Sequence, residues 1–395
     1  MSTVAFPDEK AKVLIVGCGV LGGDVLHFLT QSGRNYELYI GARDLQKVSH
    51  RVNLARYTAL NLGYLPTVEP LSIDLMETER TAELIARLRP DVIFNATTLH
   101  SWWVITQLPP NAYRRLDRAR AAPRTPMHLV LARRLMKAVR QAGVKSAVVN
   151  ASYPDVVNAV LAGEGLAPTV GIGNVSNAVP GIRLAAAHLL KCDVSDVDVR
   201  FFAQHYVSYR MPSTGSTEGA PYHLTIYHKG REVPADSLDH RAIFALVADR
   251  FRRVKGLPGQ SVTASSATAV LRALADRATR VVHAPGPLGL VGGYPVRFAD
   301  RSAEIALPPG LSLEAAIDIN RRCQRFDGVE RVDADGTVHF TQETIGIMRE
   351  ELGYDCERFS PTECEDRAAE LARKFAEYRH RAEADERAAQ LARAA

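Results

Sequence analysis

The chain has 395 residues, 46% of them hydrophobic and 24% charged, with a formal net charge of +5; this is globular composition, long enough for two domains, and it argues against intrinsic disorder. So small a charge over this length lacks the dense basic stripe of a nucleic-acid binder and suits a protein that handles small anionic molecules. Five scattered cysteines (Cys18, Cys192, Cys323, Cys356 and Cys364) contain no Cys-x-x-Cys pair, so neither a disulfide framework nor a metal site is indicated and a reducing cytoplasm is expected.

In chain order, the start "MSTVAFPDEKAK" is charged and too poor in apolar residues for a signal-peptide core, and no later run reaches membrane-spanning length. Strands are expected at 12–16, 36–40, 66–70, 92–95, 146–150 and 169–172. Helices are expected between them at 22–32, 45–62, 78–88, 126–142 and 155–162, which together make a doubly wound parallel sheet. One connection is too long for a simple loop: "TTLHSWWVITQLPPNAYRRLDRARAAPRT" carries both tryptophans and has the size of a lid or insert. From Asn177 the pattern changes to a helix ending near Lys191, strands at 197–203 and 222–228, and helices at 239–254 and 265–279. "GVERVDADGTVHFT" predicts a hairpin with a type I′ turn at Asp335-Gly336. Ser360, Pro361 and Glu363 start a long terminal helix with a capping box. The expected organisation is a dinucleotide-binding Rossmann domain over 1–173, an α+β domain over 174–359 and a C-terminal helix over 360–395.

"VLIVGCGVLGGDVLHFL" places Gly17, Gly19 and Gly22 in G-x-G-x-x-G spacing between an apolar strand and a helix. Gly17 permits the tight turn, Gly19 admits the pyrophosphate, and Gly22 brings helix against strand, with Cys18, Val20 and Leu21 completing the turn. About 20 residues on, NAD binders place an acid for the ribose 2′-hydroxyl. This chain has Gly41, Ala42 and Arg43 there. With no carboxylate to repel it and a guanidinium fork to hold it, a 2′-phosphate is accommodated, so NADP (NADPH) is expected in preference to NAD. The alternative is a solvated arginine at a strand end, with Asp44 beside it. Asn95, Ala96 and Thr97 end the fourth strand, where they either line the second ribose or form an ordinary turn.

On these residues the N-terminal segment, through "IDLMETERTAELIARLRPDVIFNATT", resembles the NADP-binding domain of saccharopine-dehydrogenase-type oxidoreductases. The stretches "VVNASYPDVVNAVL", "VGIGNVSNAVPGIRLAAAHLLKCDVSDVDVRFFAQHYVSY" and "SSATAVLRALADRATRVVHAPGPLGLVGGYPVRF" resemble the lactate/malate dehydrogenase fold. That resemblance implies His205 as the catalytic histidine, whose near-neutral titration suits proton exchange. The acid that should orient it is replaced by Asn177. The substrate-carboxylate arginine would fall near Gly181, with Arg183 the nearest cation or else a non-catalytic neighbour. Asn150, or Ser152, faces the nicotinamide or caps a helix. Among Arg114, Arg115, Arg118, Arg120 and Arg124 of the long connection, the sequence does not single out a substrate ligand. Thr263, Ser265 and Ser266 either face substrate or cap the late helix.

The expected function is an NADP-dependent oxidoreductase moving hydride between nicotinamide and a carbonyl or imine of a small, carboxylated substrate. Opine- or saccharopine-like reductive amination and a non-catalytic NADP-binding sensor or scaffold are the alternatives. A homodimer or homotetramer is implied by the resemblance, with no nucleic-acid or membrane partner.

Overall fold

Successive residues of β1 (Ala11–Val16) face opposite ways, and the alternation sorts Leu14 and Val16 into one core and Val13 and Ile15 into another. A strand apolar on both faces belongs at the centre of a parallel sheet. The computed structural model describes residues 10–234 and 236–394, so most of the charged start, Met1–Glu9, lies outside the described residues.

β1 turns through the glycines into α1 (Val20–Thr30), followed by β2 (Tyr36–Ala42), α2 (Leu45–Asn61), β3 (Thr67–Ser72), α3 (Thr78–Leu88) and β4 (Val92–Asn95). The long connection then forms α4 (Pro110–Asp117), and α5 (Thr125–Ala142), β5 (Ala147–Asn150), α6 (Pro154–Ala162) and β6 (Val170–Gly171) complete the first half. All pairs are parallel, in the order β3-β2-β1-β4-β5-β6. That order places the topological switch between β1 and β4, where doubly wound sheets bind ligands beyond their carboxyl ends.

The second half adds α7 (Val175–Leu190), β7 (Val197–Phe202), α8 (His205–Thr214), β8 (His223–His228), β9 (Arg231–Glu232), α9 (His240–Ala248) and α10 (Gln260–Ala275). After β10 (Arg280–Pro285), β11 (Gly293–Ala299), β12 (Ser302–Ile305) and α11 (Leu313–Cys323) come β13 (Val329–Val332), β14 (Val338–Phe340), α12 (Gln342–Leu352), β15 (Arg358–Phe359) and α13 (Cys364–Ala394). Three small antiparallel sheets result, β7-β8-β9, β10-β11-β12 and β13-β14-β15.

Several expectations shift. The helix expected over 239–254 ends at Ala248: the Phe251 N–H folds back to the Leu246 carbonyl at 2.9 Å, and Val254 is exposed. The helix expected from 265 begins at Gln260, which puts Thr263, Ser265 and Ser266 inside it and not at its cap. In the β13–β14 hairpin, Gly336 has φ +84° while Asp335 does not enter the positive-φ region. The Gly336 N–H donates to the Asp333 carbonyl at 2.9 Å, so the connection is a type I turn closed by a left-handed glycine, not the expected type I′.

The cores do not follow the expected boundaries at 173/174 and 359/360. Tyr354, Phe359, Leu371 and Tyr378 share one core with Leu129 of α5 and Val156 of α6. On the opposite face of the sheet, Leu271 and Leu274 of α10 pack with Val25 and Leu26 of α1. The long connection is ordered against the C-terminal segment: Ala112 and Leu116 of α4 enter the first core, and Arg115 pairs with Glu351 at 3.0 Å.

The glycine turn shows why its spacing is rigid. A Cβ at Gly22 would sit 2.0 Å from the Gly17 carbonyl oxygen, which is backbone and has nowhere to go. Gly22→Ala is expected to cost at least about 1–3 kcal/mol through overpacking and to abolish nucleotide binding, measured by thermal melting and calorimetry.

Candidate functional site

The carboxyl ends of β1, β4 and β5 lie in register, with Val16 opposite Asn95 and Asn95 opposite Asn150. The Gly17 N–H donates to the Gly41 carbonyl at 2.8 Å, with Gly17 at φ +111°. Gly19 and Val20 are exposed, and nothing lies within 4 Å of a Cβ built on Gly19. No side chain caps α1, so the N–H groups of its first turn are open to an anion. An exposed glycine turn with uncapped helix donors fits a dinucleotide pyrophosphate.

At the end of β2, the space a Cβ on Gly41 would need is filled by Ile73, 2.3 Å away. Packing therefore enforces glycine there, independently of any ligand. Ala42 is half-buried, Arg43 is exposed, and Asp44 caps α2 by accepting the Lys47 N–H at 3.0 Å.

Asn95 and Asn150 are buried and bound to each other: the Asn95 amide donates to Asn150 Oδ1 at 2.9 Å, and the Asn150 amide donates to Asn158 Oδ1 at 2.8 Å. Asn95 Oδ1 also accepts the Thr97 hydroxyl at 2.6 Å. Such a network fixes the strand ends, with Ala96 between them; neither asparagine lines the cavity, and Asn150 does not cap α6, whose N-cap is Tyr153.

A cavity of about 360 Å³ opens beyond these strands, within the range of small-molecule sites. Leu21 of the glycine turn lines one end and His205, the first residue of α8, lines another part. His205 Nδ1 lies 2.8 Å from Asp327 Oδ2, and the Tyr153 hydroxyl donates to the same oxygen at 2.6 Å. Tyr153 has φ +44°, a left-handed conformation costly for a side chain of its size; it turns the ring edge-on to His205 while Tyr209 stacks on the other side. The His205 backbone N–H donates to Asp155 at 2.8 Å, and the Asn174 amide holds the other Asp155 oxygen. The His205 side chain is 25% exposed and that of Asp327 only 3%.

Burial disfavours charge on His205, but the Asp327 carboxylate outweighs it and raises the imidazole above its ordinary value. Burial also pushes against ionised Asp327, yet His205 and the tyrosine hydroxyl bring it below the carboxylate range. The two therefore form an ion pair. Asp155 is raised to about 6, chiefly by burial. His128, whose Nδ1 sits 3.1 Å from the Ser152 hydroxyl, is lowered to about 3 by burial and is neutral.

The expected loss of the orienting acid is thus corrected: Asp327, in the turn after α11, takes the place left by Asn177. Asn177 lines the cavity but donates to the Thr263 hydroxyl at 2.9 Å and accepts from Ser266. Arg183 is placed away from the cavity, donating to the carbonyls of Val197 at 2.9 Å and Val194 at 3.0 Å. Arg120 and Arg124 line the cavity in its stead. Arg124 Nε is buried without a hydrogen-bond partner, a desolvated donor beside the histidine. Among the described residues, no group of three or more His, Cys, Asp or Glu is placed to hold a metal ion, and no helix is long and apolar enough to cross a membrane.

Sheet order, cavity position and histidine–carboxylate pair define a doubly wound α/β protein with a mixed polar and apolar cavity at the strands' carboxyl ends. Among solved structures, a lactate dehydrogenase from a Medee basin deep-sea metagenome library superposes with a TM-score of 0.54 at 13% identity, over 80% of this chain and 96% of that one. Plasmodium falciparum malate dehydrogenase gives a TM-score of 0.54 at 10% identity, over 86% and 99%, and Cryptosporidium parvum malate dehydrogenase 0.52 at 13%, over 81% and 98%. One structure of the Plasmodium falciparum enzyme was solved in complex with NADH. No family model and no curated protein matches the chain. The chain has the lactate/malate dehydrogenase fold.

Proposed function

We propose that the protein is a nicotinamide-nucleotide-dependent oxidoreductase that transfers hydride to or from a carbonyl or imine carbon of a small carboxylated molecule. The observation that carries this reading is that one cavity joins Leu21 of the glycine turn to the His205–Asp327 pair. The glycine turn would hold the nucleotide, which would supply the hydride chemistry to this cavity. In the reducing direction His205 donates a proton from Nε2 to the substrate oxygen or nitrogen, Asp327 holds Nδ1 and balances the imidazolium, and Tyr153 fixes the carboxylate. Arg124, with its unpaired Nε, holds the substrate carboxylate.

The preference for NADP rests on this chain's own residues. Arg43 is exposed beside the turn, and Asp44, the only nearby acid on that strand end, is committed to the helix cap. The NADH bound by the malate dehydrogenase neighbour makes NAD the competing cofactor. A soluble protein of the cytoplasm, working as a homodimer or homotetramer, fits the same reading.

Reductive amination is a second reading, favoured by the cavity's second pair of lining cations, Arg253 and Lys255, which gives a second acidic component its own counter-charge. Nicotinamide absorbance measured with a panel of 2-oxo acids, with and without ammonia or amino acids, tests both. Oxidation of NADPH by the oxo acid alone supports the first reading; a strict requirement for the amine replaces it with the second. Cofactor binding with no turnover on any of them leaves a nucleotide sensor.

Arg124→Gln is expected to raise KM for the active acid about 10- to 100-fold, the worth of a charged hydrogen bond, with cofactor affinity unchanged. An unaltered KM would assign the carboxylate to Arg120 or Arg253.

A further inference from the structure

Arg51 lies in α2, on the side that packs against α1. Gly23 provides the space it occupies: a Cβ there would come within 2.9 Å of Arg51 Nε and 3.0 Å of its Cζ. The guanidinium is thereby laid across the first turn of α1, where its charge acts on the Cys18 thiol of the glycine turn. Lys47, one helical turn earlier on the same face, acts electrostatically on the same thiol. Arg43 is exposed immediately after β2, the strand whose Gly41 carbonyl accepts the Gly17 N–H.

The charges facing this cluster do not cancel it. Asp24 and His27 of α1 are the titratable groups that feel Arg51. Burial raises Asp24, and no ion pair joins Asp24 to Arg51 among the described residues. Asp44 is held by the N-cap of α2. A guanidinium seated in a glycine-made gap beside open helix donors is a pre-positioned site for a phosphate monoester.

We propose that Arg51, with Arg43 and Lys47, grips a phosphate on the 2′-oxygen of the adenosine ribose and so sets cofactor choice; this rests on the nicotinamide-nucleotide reading of the glycine turn. Arg43 supplies an exposed charge. Arg51 supplies a seated one, because the gap at Gly23 takes its guanidinium. Selectivity for the 2′-phosphate therefore comes from the body of α2 as well as from the strand end.

Calorimetric titration with 2′,5′-ADP and 5′-AMP isolates the phosphate, and NADPH and NADH titrations follow the whole cofactor. The wild-type protein is expected to bind 2′,5′-ADP well above 5′-AMP. Arg51→Gln is expected to weaken 2′,5′-ADP and NADPH about 10- to 100-fold and to leave 5′-AMP and NADH unchanged, with Arg51→Lys intermediate. Equal losses on both nucleotide pairs would make Arg51 a strut between helices and overturn the assignment. An unaffected Arg51→Gln beside a defective Arg43→Gln would confine the phosphate to the strand end. Wild-type protein that prefers NADH removes the clamp alone, whereas one that binds neither dinucleotide removes the underlying reading. Melting temperatures of each variant separate loss of folding from loss of binding.

Discussion

Replacing His205 by asparagine is expected to reduce turnover by about 10²- to 10⁴-fold, the usual worth of a positioned acid–base group, while NADPH binds as in the wild type. Asparagine preserves a polar side chain of similar reach but holds no titratable proton. Cofactor affinity is insulated because the glycine turn and α2 contribute no atom to the histidine's contacts, which are Asp327, Tyr153, Tyr209 and the Asp155 carboxylate below its backbone. Stopped-flow measurement of hydride transfer, alongside equilibrium titration of NADPH, reads both quantities. Residual turnover within tenfold of wild type would move proton transfer to Tyr153 or a water.

Asp327→Asn is expected to lower turnover at neutral pH by about 10²-fold and to shift its pH dependence in a defined direction. In the reducing direction the active form carries the imidazolium. The wild-type rate should hold to a pH above the ordinary histidine value and fall once His205 deprotonates, because the Asp327 carboxylate raises it. Removing that carboxylate leaves burial opposed chiefly by Asp155, so the fall moves to lower pH. Asp155, raised to about 6 chiefly by burial, adds a further inflection, which the loss of the Asp327 charge moves to lower pH in the variant.

The linked stability has two edges. His205, raised in the folded protein, contributes stability that is complete below its unfolded value and disappears as pH rises through the folded one. Asp327, lowered in the folded protein, contributes stability that is present above its unfolded value and disappears as pH falls through the folded one. The melting-temperature gap between wild type and Asp327→Asn should therefore be widest between those edges and close on both sides. A pH–rate profile that does not move would show that the pair carries no catalytic charge.

The glycine turn was legible because everything it needs is local: three glycines at fixed spacing, a strand before them and a helix after. The doubly wound parallel sheet followed from the same alternation of short apolar strands and amphipathic helices. Asp327 was illegible for the opposite reason. It meets His205 across 122 residues of chain, and its setting, "RFDGVE", looks like any acidic turn before a strand. Asn177, expected in the orienting acid's place, spends its amide on Thr263. Arg183 misled in the same way, since its position on α7 is helical surface that reaches two carbonyls of the following segment. Arg124 was one of five similar arginines. Only the folded chain shows that it is the one with a buried, unpartnered nitrogen at the cavity.

The order in which the two halves of the site are synthesised has a consequence of its own. Every residue of the glycine turn and of α2 belongs to the first 61 positions, whereas the carboxylate that charges the imidazole emerges only at position 327. During translation the glycine turn is thus made early, yet α1 completes its packing only when Leu271 and Leu274 of α10 have been added. The histidine–carboxylate pair can close only once the final fifth of the molecule has been made, and that same stretch supplies Tyr354, Phe359, Leu371 and Tyr378 to the core shared with α5 and α6.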